Sequence, residues 1–207
     1  MSITLYGYTA SRAARNLWVL EELNLPYAHE KVKTRDPSSR TPEYLAINPT
    51  GFIPSLKDGD AVMFESLGIN LYLAQKYGKD KLWPSDKPGQ AKCMQWTMWS
   101  ATGLEPYAIT MIVQKIFTPE EKRSQAVYDK AEENLHKELA LLEAALGKSP
   151  YLCGDSFTIG DLNIACVLSS LPRINFDVGA KYPAVKAWLD KCLAREAQQR
   201  VAAMPRG

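Results

Sequence analysis

Two places in the sequence put a hydroxyl or carboxylate side chain at the start of a predicted helix, where it could contact a charged ligand. Ser11 follows a short run with strand periodicity and precedes a run with helical periodicity. Glu65 and Ser66 occupy the same kind of junction further along the chain. Because a helix N-terminus favours anions, donors at such a junction are suited to bind a carboxylate. The plain alternative is that each serine only caps its helix.

The cysteines and histidines form no recognisable metal or dithiol motif. The four cysteines are far apart and include no CxxC pair: Cys93, Cys153, Cys166 and Cys192. Only His29 and His136 accompany them. We therefore expect no structural zinc site and no thioredoxin-type dithiol oxidoreductase. In a reducing compartment, all four cysteines should be free thiols.

Composition and charge are those of an ordinary globular protein. The 207 residues are 46% apolar and 23% charged, which allows a sizeable core and argues against disorder. The net charge is +2, and basic residues are interleaved with acidic ones, so we expect no nucleic-acid partner. The start of the chain does not read as a signal peptide, and no stretch is apolar enough to span a membrane. We expect a cytoplasmic protein without a membrane partner.

Residues 1–78 are predicted to form a small α/β domain. Alternating and helical spacings follow one another in the order β-α-β-α-β-β-α. Strands are predicted at residues 3–7, 27–32, 54–57 and 61–64, and helices from residue 13, at 43–47 and from 69. Asp58-Gly59-Asp60 between the last two strands predicts a β-hairpin.

The rest of the chain is predicted to be helical. Residues 79–88 form the predicted linker, because they contain Pro84 and Pro88 and are flanked by Gly78 and Gly89. Residues 89–207 are predicted to form an all-helical domain. Gln90–Phe117 is expected to be one long helix, bent near Gly103 or Pro106. Thr118-Pro119 predicts the start of the next helix. Thr158 and Asp161 have the spacing of a capping box.

Three local patterns, in this order and spacing, resemble the cytosolic glutathione transferase family. They are Asn48-Pro49-Thr50-Gly51-Phe52-Ile53-Pro54, Phe64-Glu65-Ser66 and Thr158-Ile159-Gly160-Asp161. The resemblance covers nearly the whole chain, and Leu17–Leu23 is similar to the first helix of many bacterial members. It implies an α/β thioredoxin-like N-terminal domain that holds glutathione and an all-α domain that holds the second substrate.

The resemblance also implies which residues bind glutathione. Pro54 is cis in the family, and this presents the backbone of the preceding residue, here Ile53, to the cysteinyl part of the tripeptide. Glu65 and Ser66 are expected to hold the γ-glutamyl end. Arg40 is expected to pair with the glycyl carboxylate, and Arg35 is the rival for this contact.

Ser11 is the candidate for activating the glutathione thiol. The pKa of a free thiol is about 8.5, so the thiol of glutathione is mostly protonated at neutral pH. A donated hydrogen bond and the dipole of the first helix would stabilise the thiolate. When the first helix is aligned with serine-type relatives, their serine falls on Ala10, one residue early. Tyr8 and Thr9 therefore stay open as alternatives, while Tyr6 is expected to face the core.

The activity implied is conjugation of the glutathione thiolate to a small hydrophobic electrophile, without a metal. The electrophile is expected between the domains, near the large apolar residues of the long helix: Met94, Trp96, Met98, Trp99, Met111 and Phe117. Alternatives are glutathione-dependent isomerisation or peroxide reduction, and a non-catalytic glutathione-binding or ligand-binding module. The family norm implies a homodimer, with Phe52 as a candidate contact to the partner subunit.

Overall fold

Residues 3–206 are described by a computed structural model, and they divide into an α/β unit and a helical unit. The first unit contains the chain up to Lys81 together with the segment from Arg195, and the second contains Leu82–Ala194. A mixed four-stranded sheet with helices is followed by a helical unit, so the predicted fold class is confirmed. The sequence placed every residue after 88 in the helical domain, whereas the last helix groups with the α/β unit.

The α/β unit has the predicted element order. Its elements are β1 (Ile3–Tyr6), α1 (Ala13–Glu22), β2 (Tyr27–Glu30), α2 (Pro42–Ile47), β3 (Ser55–Asp58), β4 (Ala61–Phe64) and α3 (Ser66–Tyr77). The strand order in the sheet is β2-β1-β3-β4. β1 is parallel to β2 and antiparallel to β3, and β3 and β4 form the predicted hairpin.

The strand register brings three connections to one edge of the sheet. Tyr6 at the end of β1 lies opposite Ser55 at the start of β3, and Ser55 lies opposite Phe64 at the end of β4. The residues that follow β1, precede β3 and follow β4 therefore all leave the sheet at the same edge. These are the segments in which the sequence placed Ser11, Ile53-Pro54 and Glu65-Ser66.

Helical spacing on α1 and α3 explains the core of this unit. Ala13, Leu17 and Leu20 lie three to four residues apart on α1 and are fully buried. Ile69 and Leu73 on α3 are also fully buried, and the two helices pack together. Each buried leucine or isoleucine contributes about 1.5–3 kcal/mol relative to an exposed one.

The C-terminal helix α9 (Glu196–Ala203) packs against α1. Its buried residues, Ala197 and Val201, lie four apart and so share one face of the helix. Arg195 donates from Nε and Nη2 to the two carboxylate oxygens of Glu22, at 2.6 and 2.8 Å. Arg200 donates from Nε to Glu21 at 2.7 Å. These contacts explain why the end of the chain groups with the α/β unit.

The helical unit contains α4 (Lys87–Trp99), α5 (Glu105–Ile112), α6 (Gln125–Leu146), α7 (Ile159–Leu168) and α8 (Pro183–Leu193). The long helix predicted over Gln90–Phe117 is interrupted by two π-helical turns, Ser100–Leu104 and Val113–Phe117. The first of these turns includes Gly103, one of the two predicted bend positions. Among the described residues, no helix is both long and apolar enough to cross a bilayer.

The predicted start of α6 is wrong by several residues. Thr118-Pro119 leads only into a 3₁₀ turn at Glu120–Lys122, and the backbone at Arg123 is extended again. Ser124 is the actual N-cap, since its Oγ accepts a hydrogen bond from the N–H of Val127 at 3.4 Å. Threonine and serine are both favourable N-cap residue types, and it is Ser124 rather than Thr118 that begins the 22-residue helix.

The capping box predicted at the start of α7 is present. The carboxylate of Asp161 accepts hydrogen bonds from the N–H of Thr158 at 3.0 Å and from its hydroxyl at 2.9 Å. The same carboxylate accepts from the N–H of Leu152 at 2.9 Å and from the indole N–H of Trp188 at 3.0 Å. One fully buried carboxylate therefore joins α7 to the preceding loop and to α8.

Candidate functional site

Ser11 lies in the turn between β1 and α1, and its hydroxyl already makes local hydrogen bonds. Oγ donates to the carbonyl of Tyr8 at 2.6 Å and accepts from the N–H of Ala13 at 3.1 Å. Ser11 therefore binds the N–H of Ala13 at the start of α1, but the N-cap position is Arg12, one residue later, which makes no side-chain cap hydrogen bond. Its half-buried oxygen lies at the positive end of the helix dipole. To donate to a ligand, the hydroxyl hydrogen must rotate away from the Tyr8 carbonyl.

The alternatives to Ser11 occupy the same turn. Tyr8 and Thr9 are half-buried, and Ala10 is exposed, with its N–H donating to the carbonyl of Arg206 at 3.3 Å. Tyr6 is half-buried on β1 rather than fully in the core, and its ring lies near that of a tyrosine on α2, with 6.1 Å between centroids. Tyr6 therefore belongs to the packing of α2 on the sheet.

The loop before β3 is held by two buried side chains. Asn48 donates from Nδ2 to the carbonyl of Phe52 at 2.8 Å, and the hydroxyl of Tyr44 donates to the same carbonyl at 2.6 Å. The Ile53–Pro54 peptide bond is cis, which confirms the expectation from the sequence. Within residues 3–206, neither the N–H nor the C=O of Ile53 has a protein hydrogen-bond partner. The loop thus presents backbone groups that an extended peptide can pair with.

Glu65 and Ser66 form the start of α3 at the same edge of the sheet. Ser66 is the first residue of this 12-residue helix and is 4% exposed. Glu65 is exposed and has φ 74° and ψ 107°, a conformation that non-glycine residues rarely adopt. Strained backbone of this kind occurs most often at ligand sites and switches. The helix N-terminus and the unusual Glu65 backbone together mark this junction as a candidate anion site.

Two residues that the sequence analysis did not name support this junction. Arg15 on α1 donates from Nη1 to the hydroxyl of Ser66 at 3.3 Å. Asn16 donates from Nδ2 to the carbonyl of Ser66 at 2.8 Å and to Oδ1 of Asn70 at 2.7 Å. Helical spacing in the sequence could have identified Asn16, because it is three residues after Ala13 and so falls on the buried face of α1. A buried asparagine on such a face needs polar partners.

Arg40 lies beside the turn that precedes the Ile53–Pro54 bond. It donates from Nη1 to the carbonyl of Thr50 at 3.3 Å, and its guanidinium lies against Gly51. Gly51 has φ 65°, and a side chain there would collide with the guanidinium. Arg35 is exposed in the loop before α2. Of the two rival arginines, Arg40 is therefore the one that the structure brings to this turn.

These features combine two positive regions with an unpaired backbone edge. Arg15 and the N-terminus of α3 provide one positive region, and Arg40 provides the other. Ile53 precedes β3, whose first residue pairs with the last residue of β4, next to Glu65. Such a site suits an extended ligand that carries two carboxylates. The described part of the chain holds no group of three or more side chains suited to bind a metal ion.

The apolar side chains expected to contact a second substrate fall into two groups. Met111 is fully buried, and Trp96 and Trp99 are half-buried with their indole N–H groups donating to the Leu152 carbonyl at 3.1 Å and to Glu138 at 2.9 Å. These three belong to the packing of the helical unit. The exposed members are Met94, Met98 and Phe117, with exposed fractions of 44%, 58% and 62%.

Each of the two units contains a segment that matches the model of a known protein family. Residues 11–76 match the model of the glutathione S-transferase N-terminal domain, and residues 107–196 match that of the C-terminal domain. The chain belongs to the glutathione S-transferase family. The resemblance seen in the sequence is therefore confirmed. The segment that matches the N-terminal model contains the residues proposed to contact glutathione: Ser11, Arg40, Ile53, Pro54, Glu65 and Ser66.

Individual glutathione S-transferases are similar along nearly their whole length. Glutathione S-transferase GstB of Escherichia coli K12 is 32% identical, over 98% of this chain and 99% of its own. Glutathione S-transferase 3 of Zea mays is 36% identical, over 98% and 95%. The theta class enzyme of Xanthomonas axonopodis pv. citri, solved with glutathione bound, superimposes with a TM-score of 0.88 at 29% identity, covering 99% of each chain.

Proposed function

We propose that this chain is a glutathione transferase that joins the glutathione thiolate to small apolar electrophiles. One observation carries the proposal. The unpaired backbone groups of Ile53 and the positive N-terminus of α3 lie at the same edge of the sheet. A similar structure from Xanthomonas axonopodis holds glutathione, which supports the same ligand here. Glutathione is extended and carries two carboxylates, an ammonium and a thiol, so it matches these features.

Each part of glutathione has a proposed partner. The cysteinyl backbone pairs with the N–H and C=O of Ile53. The γ-glutamyl carboxylate accepts from Ser66 and the first turn of α3, with the charge of Arg15 beside it, and its ammonium lies near Glu65. The glycyl carboxylate pairs with Arg40, which must exchange its contact with the Thr50 carbonyl for this stronger, charged one.

The proposed role of the site in catalysis is to stabilise the thiolate. Ser11 donates its hydroxyl hydrogen to the glutathione sulfur, and the N-terminus of α1 adds a favourable dipole. Each unit by which the pKa of the thiol is lowered corresponds to about 1.4 kcal/mol of preference for the thiolate. The protein then contributes position and electrostatics, while the sulfur supplies the attacking electron pair.

The binding site of the electrophile and the oligomeric state of the protein are also proposals. Met98 and Phe117 are the most exposed large apolar side chains of the helical unit, and we propose that this unit binds the electrophile through such residues. We propose a homodimer on the basis of the family norm. Phe52 supports it, because this side chain is 54% exposed at the tip of the loop before β3. Light scattering of the wild type beside Phe52→Ser tests that contact.

A second candidate is a glutathione-binding module without turnover. The 2.6 Å hydrogen bond from the Ser11 hydroxyl to the Tyr8 carbonyl favours it, because this bond uses the only hydrogen that Ser11 could donate to a thiolate. In that case the site would bind the tripeptide but leave its thiol largely protonated.

The deciding experiment compares wild type, Ser11→Ala and Thr9→Val in conjugation of glutathione to a chromogenic aryl halide. Glutathione affinity is measured on all three by calorimetry. We expect Ser11→Ala to lower kcat by about tenfold or more while affinity changes by less than about twofold, because the lost bond acts mainly on the thiolate. Thr9→Val is the matched control in the same turn and should keep its rate.

The other outcomes are equally informative. If Thr9→Val loses the rate and Ser11→Ala keeps it, the activating hydroxyl is that of Thr9. If the wild type binds glutathione but converts none of several electrophiles, the binding module replaces the enzyme. If glutathione does not bind at all, the proposed site itself is wrong.

A further inference from the structure

Two cysteines of the helical unit, 60 residues apart in the sequence, meet in the structure. Cys93 lies on α4, and Cys153 lies in the loop that precedes α7. Their Sγ atoms are 3.5 Å apart and share a hydrogen bond. The candidate glutathione site uses neither residue. This dithiol pair therefore has no role in the function proposed above.

The pair lies against the N-terminus of α7. A Cβ atom on Gly160, the second residue of that helix, would come within 3.1 Å of the Cys153 sulfur, so the absence of a side chain there makes room for the thiol. The hydrogen bond with Cys153 lowers the pKa of the Cys93 thiol, and it outweighs burial with the help of the Thr158 hydroxyl and the Gly160 N–H. Asp161 opposes this effect. A helix N-terminus is a recognised setting for cysteine thiolates.

The two thiols differ in their access to solvent. Cys93 is completely buried, whereas Cys153 is half-buried. Its hydrogen bond with Cys93 raises the pKa of the Cys153 thiol. A small reagent therefore reaches the sulfur of Cys153 first, and Cys93 is the buried thiol that can react with it afterwards.

We propose that Cys93 and Cys153 are an oxidation site that forms a reversible disulfide within the helical unit, with a hydroperoxide as oxidant. The sulfur of Cys153 attacks the outer peroxide oxygen, and the O–O bond breaks. The outer oxygen keeps its hydrogen and stays on Cys153 as a sulfenic acid, while the other oxygen takes up the thiol proton of Cys153 and leaves as an alcohol, or as water in the case of hydrogen peroxide.

In the second step the sulfur of the Cys93 thiol attacks the sulfur of that sulfenic acid. The S–S bond forms, the S–O bond breaks, and the departing hydroxide takes up the proton of Cys93 to leave as water. Two thiols are oxidised and one peroxide is reduced. The sulfurs must approach by about 1.5 Å to reach the usual S–S bond length. Because they are already in contact, this requires only a small shift of the side chains and their supporting segments.

The test treats the reduced, full-length protein with hydrogen peroxide and then counts its thiols under denaturing conditions. We expect two of the four cysteines to become unreactive to a maleimide, and dithiothreitol to restore both. Proteolysis without reductant, followed by mass spectrometry, should yield one linked pair of peptides that contain Cys93 and Cys153. Loss of thiols through linked dimers, or through separate sulfinic acids without this pair, would overturn the proposal.

Single variants separate this pair from the other cysteines. Cys153→Ser should lose the linked peptides and retain a reactive thiol at Cys93. Because Cys153 is only half-buried, this change is better tolerated than one at the fully buried Cys93. Cys93→Ser should leave Cys153 to oxidise further, to the sulfinic acid. Cys166→Ser and Cys192→Ser are the matched controls and should form the link as the wild type does. If either control abolishes it, the pairing is wrong.

Discussion

At the scale of single residues, Arg15 is the charged group that the structure adds to the predicted site. Its contact with the Ser66 hydroxyl places a guanidinium beside the N-terminus of α3. We expect Arg15→Met to weaken glutathione binding about tenfold, or ~1.4 kcal/mol, because one charge next to the proposed carboxylate is lost. Calorimetry checks this value. Arg123→Met, an exposed arginine of the helical unit, should bind as the wild type does.

Asn16 is a second residue whose effect can be measured directly. Asn16→Ala removes the donor to both the Ser66 carbonyl and the Asn70 side chain, which are buried. We expect the free energy of unfolding to fall by about 2 kcal/mol, because both buried acceptors lose the hydrogen bond that Asn16 donates. Urea denaturation measures it. The control is Asn134→Ala, a half-buried asparagine of α6 whose Oδ1 accepts an exposed hydrogen bond from Lys137, and a change above about 0.5 kcal/mol would speak against the argument.

At the scale of elements, the stability of the helical unit depends on the carboxylate of Asp161 in the first turn of α7. Asp161→Ala leaves donors on the preceding loop, on Thr158 and on Trp188 without an acceptor. We expect a loss of about 3–5 kcal/mol in the free energy of unfolding. Asp190→Ala removes only an exposed pair with Lys186 on α8 and should cost less than about 1 kcal/mol. Equal losses in the two variants would contradict this account.

A second carboxylate joins the β3–β4 hairpin to α3. Oδ2 of Asp58 accepts from Tyr72 at 2.9 Å, from Lys76 at 2.7 Å and from Tyr77 at 2.7 Å. Burial raises the pKa of Asp58, but the three hydrogen bonds outweigh it, and the pKa lies below its ordinary value. The folded state therefore favours the ionised form of this carboxyl.

The lowered pKa predicts how stability depends on pH. The ionised Asp58 contributes to the free energy of unfolding. This contribution is complete at a pH above the pKa that Asp58 has in the unfolded chain, and it is lost as the pH falls through the lower pKa that Asp58 has in the folded state. We expect Asp58→Asn to be less stable than the wild type at neutral pH by about 2 kcal/mol, and the gap to narrow between about pH 5 and pH 2. Asp60→Asn, exposed in the same hairpin, should match the wild type throughout.

What the sequence could predict at this scale depended on how local the signal was. The β3–β4 hairpin and the α7 capping box were predicted correctly, since each follows from residues within a few positions of one another. The start of α6 was not, because Thr118 and Ser124 carry the same local signal. Contacts such as Arg15 with Ser66, or Cys93 with Cys153, join residues 51 and 60 positions apart, and no local spacing records them.

At the scale of the whole molecule, α9 is the element whose placement differs most from the sequence-based domain limits. Val201 on this helix is 3% exposed. We expect Val201→Asp to destabilise the protein by about 3 kcal/mol, because an unpaired carboxylate would be buried against α1. Thermal unfolding tests this, with Ala202→Asp on the exposed side of the same helix as the control. If the control is equally destabilised, charge on α9 rather than burial is responsible.

Because α9 packs against α1, the α/β unit can be completed only after the last helix of the chain has been synthesised. Arg195 and Arg200 bind residues 173 and 179 positions earlier, so the first unit is discontinuous in the sequence. At about 5–20 residues per second, α1 waits for roughly ten seconds or more on the ribosome before α9 is made. During that interval Glu21 and Glu22 lack the two arginines that bind them in the folded protein, and the surface that α9 later covers is open to chaperones. Pulse proteolysis of stalled nascent chains would detect this late completion.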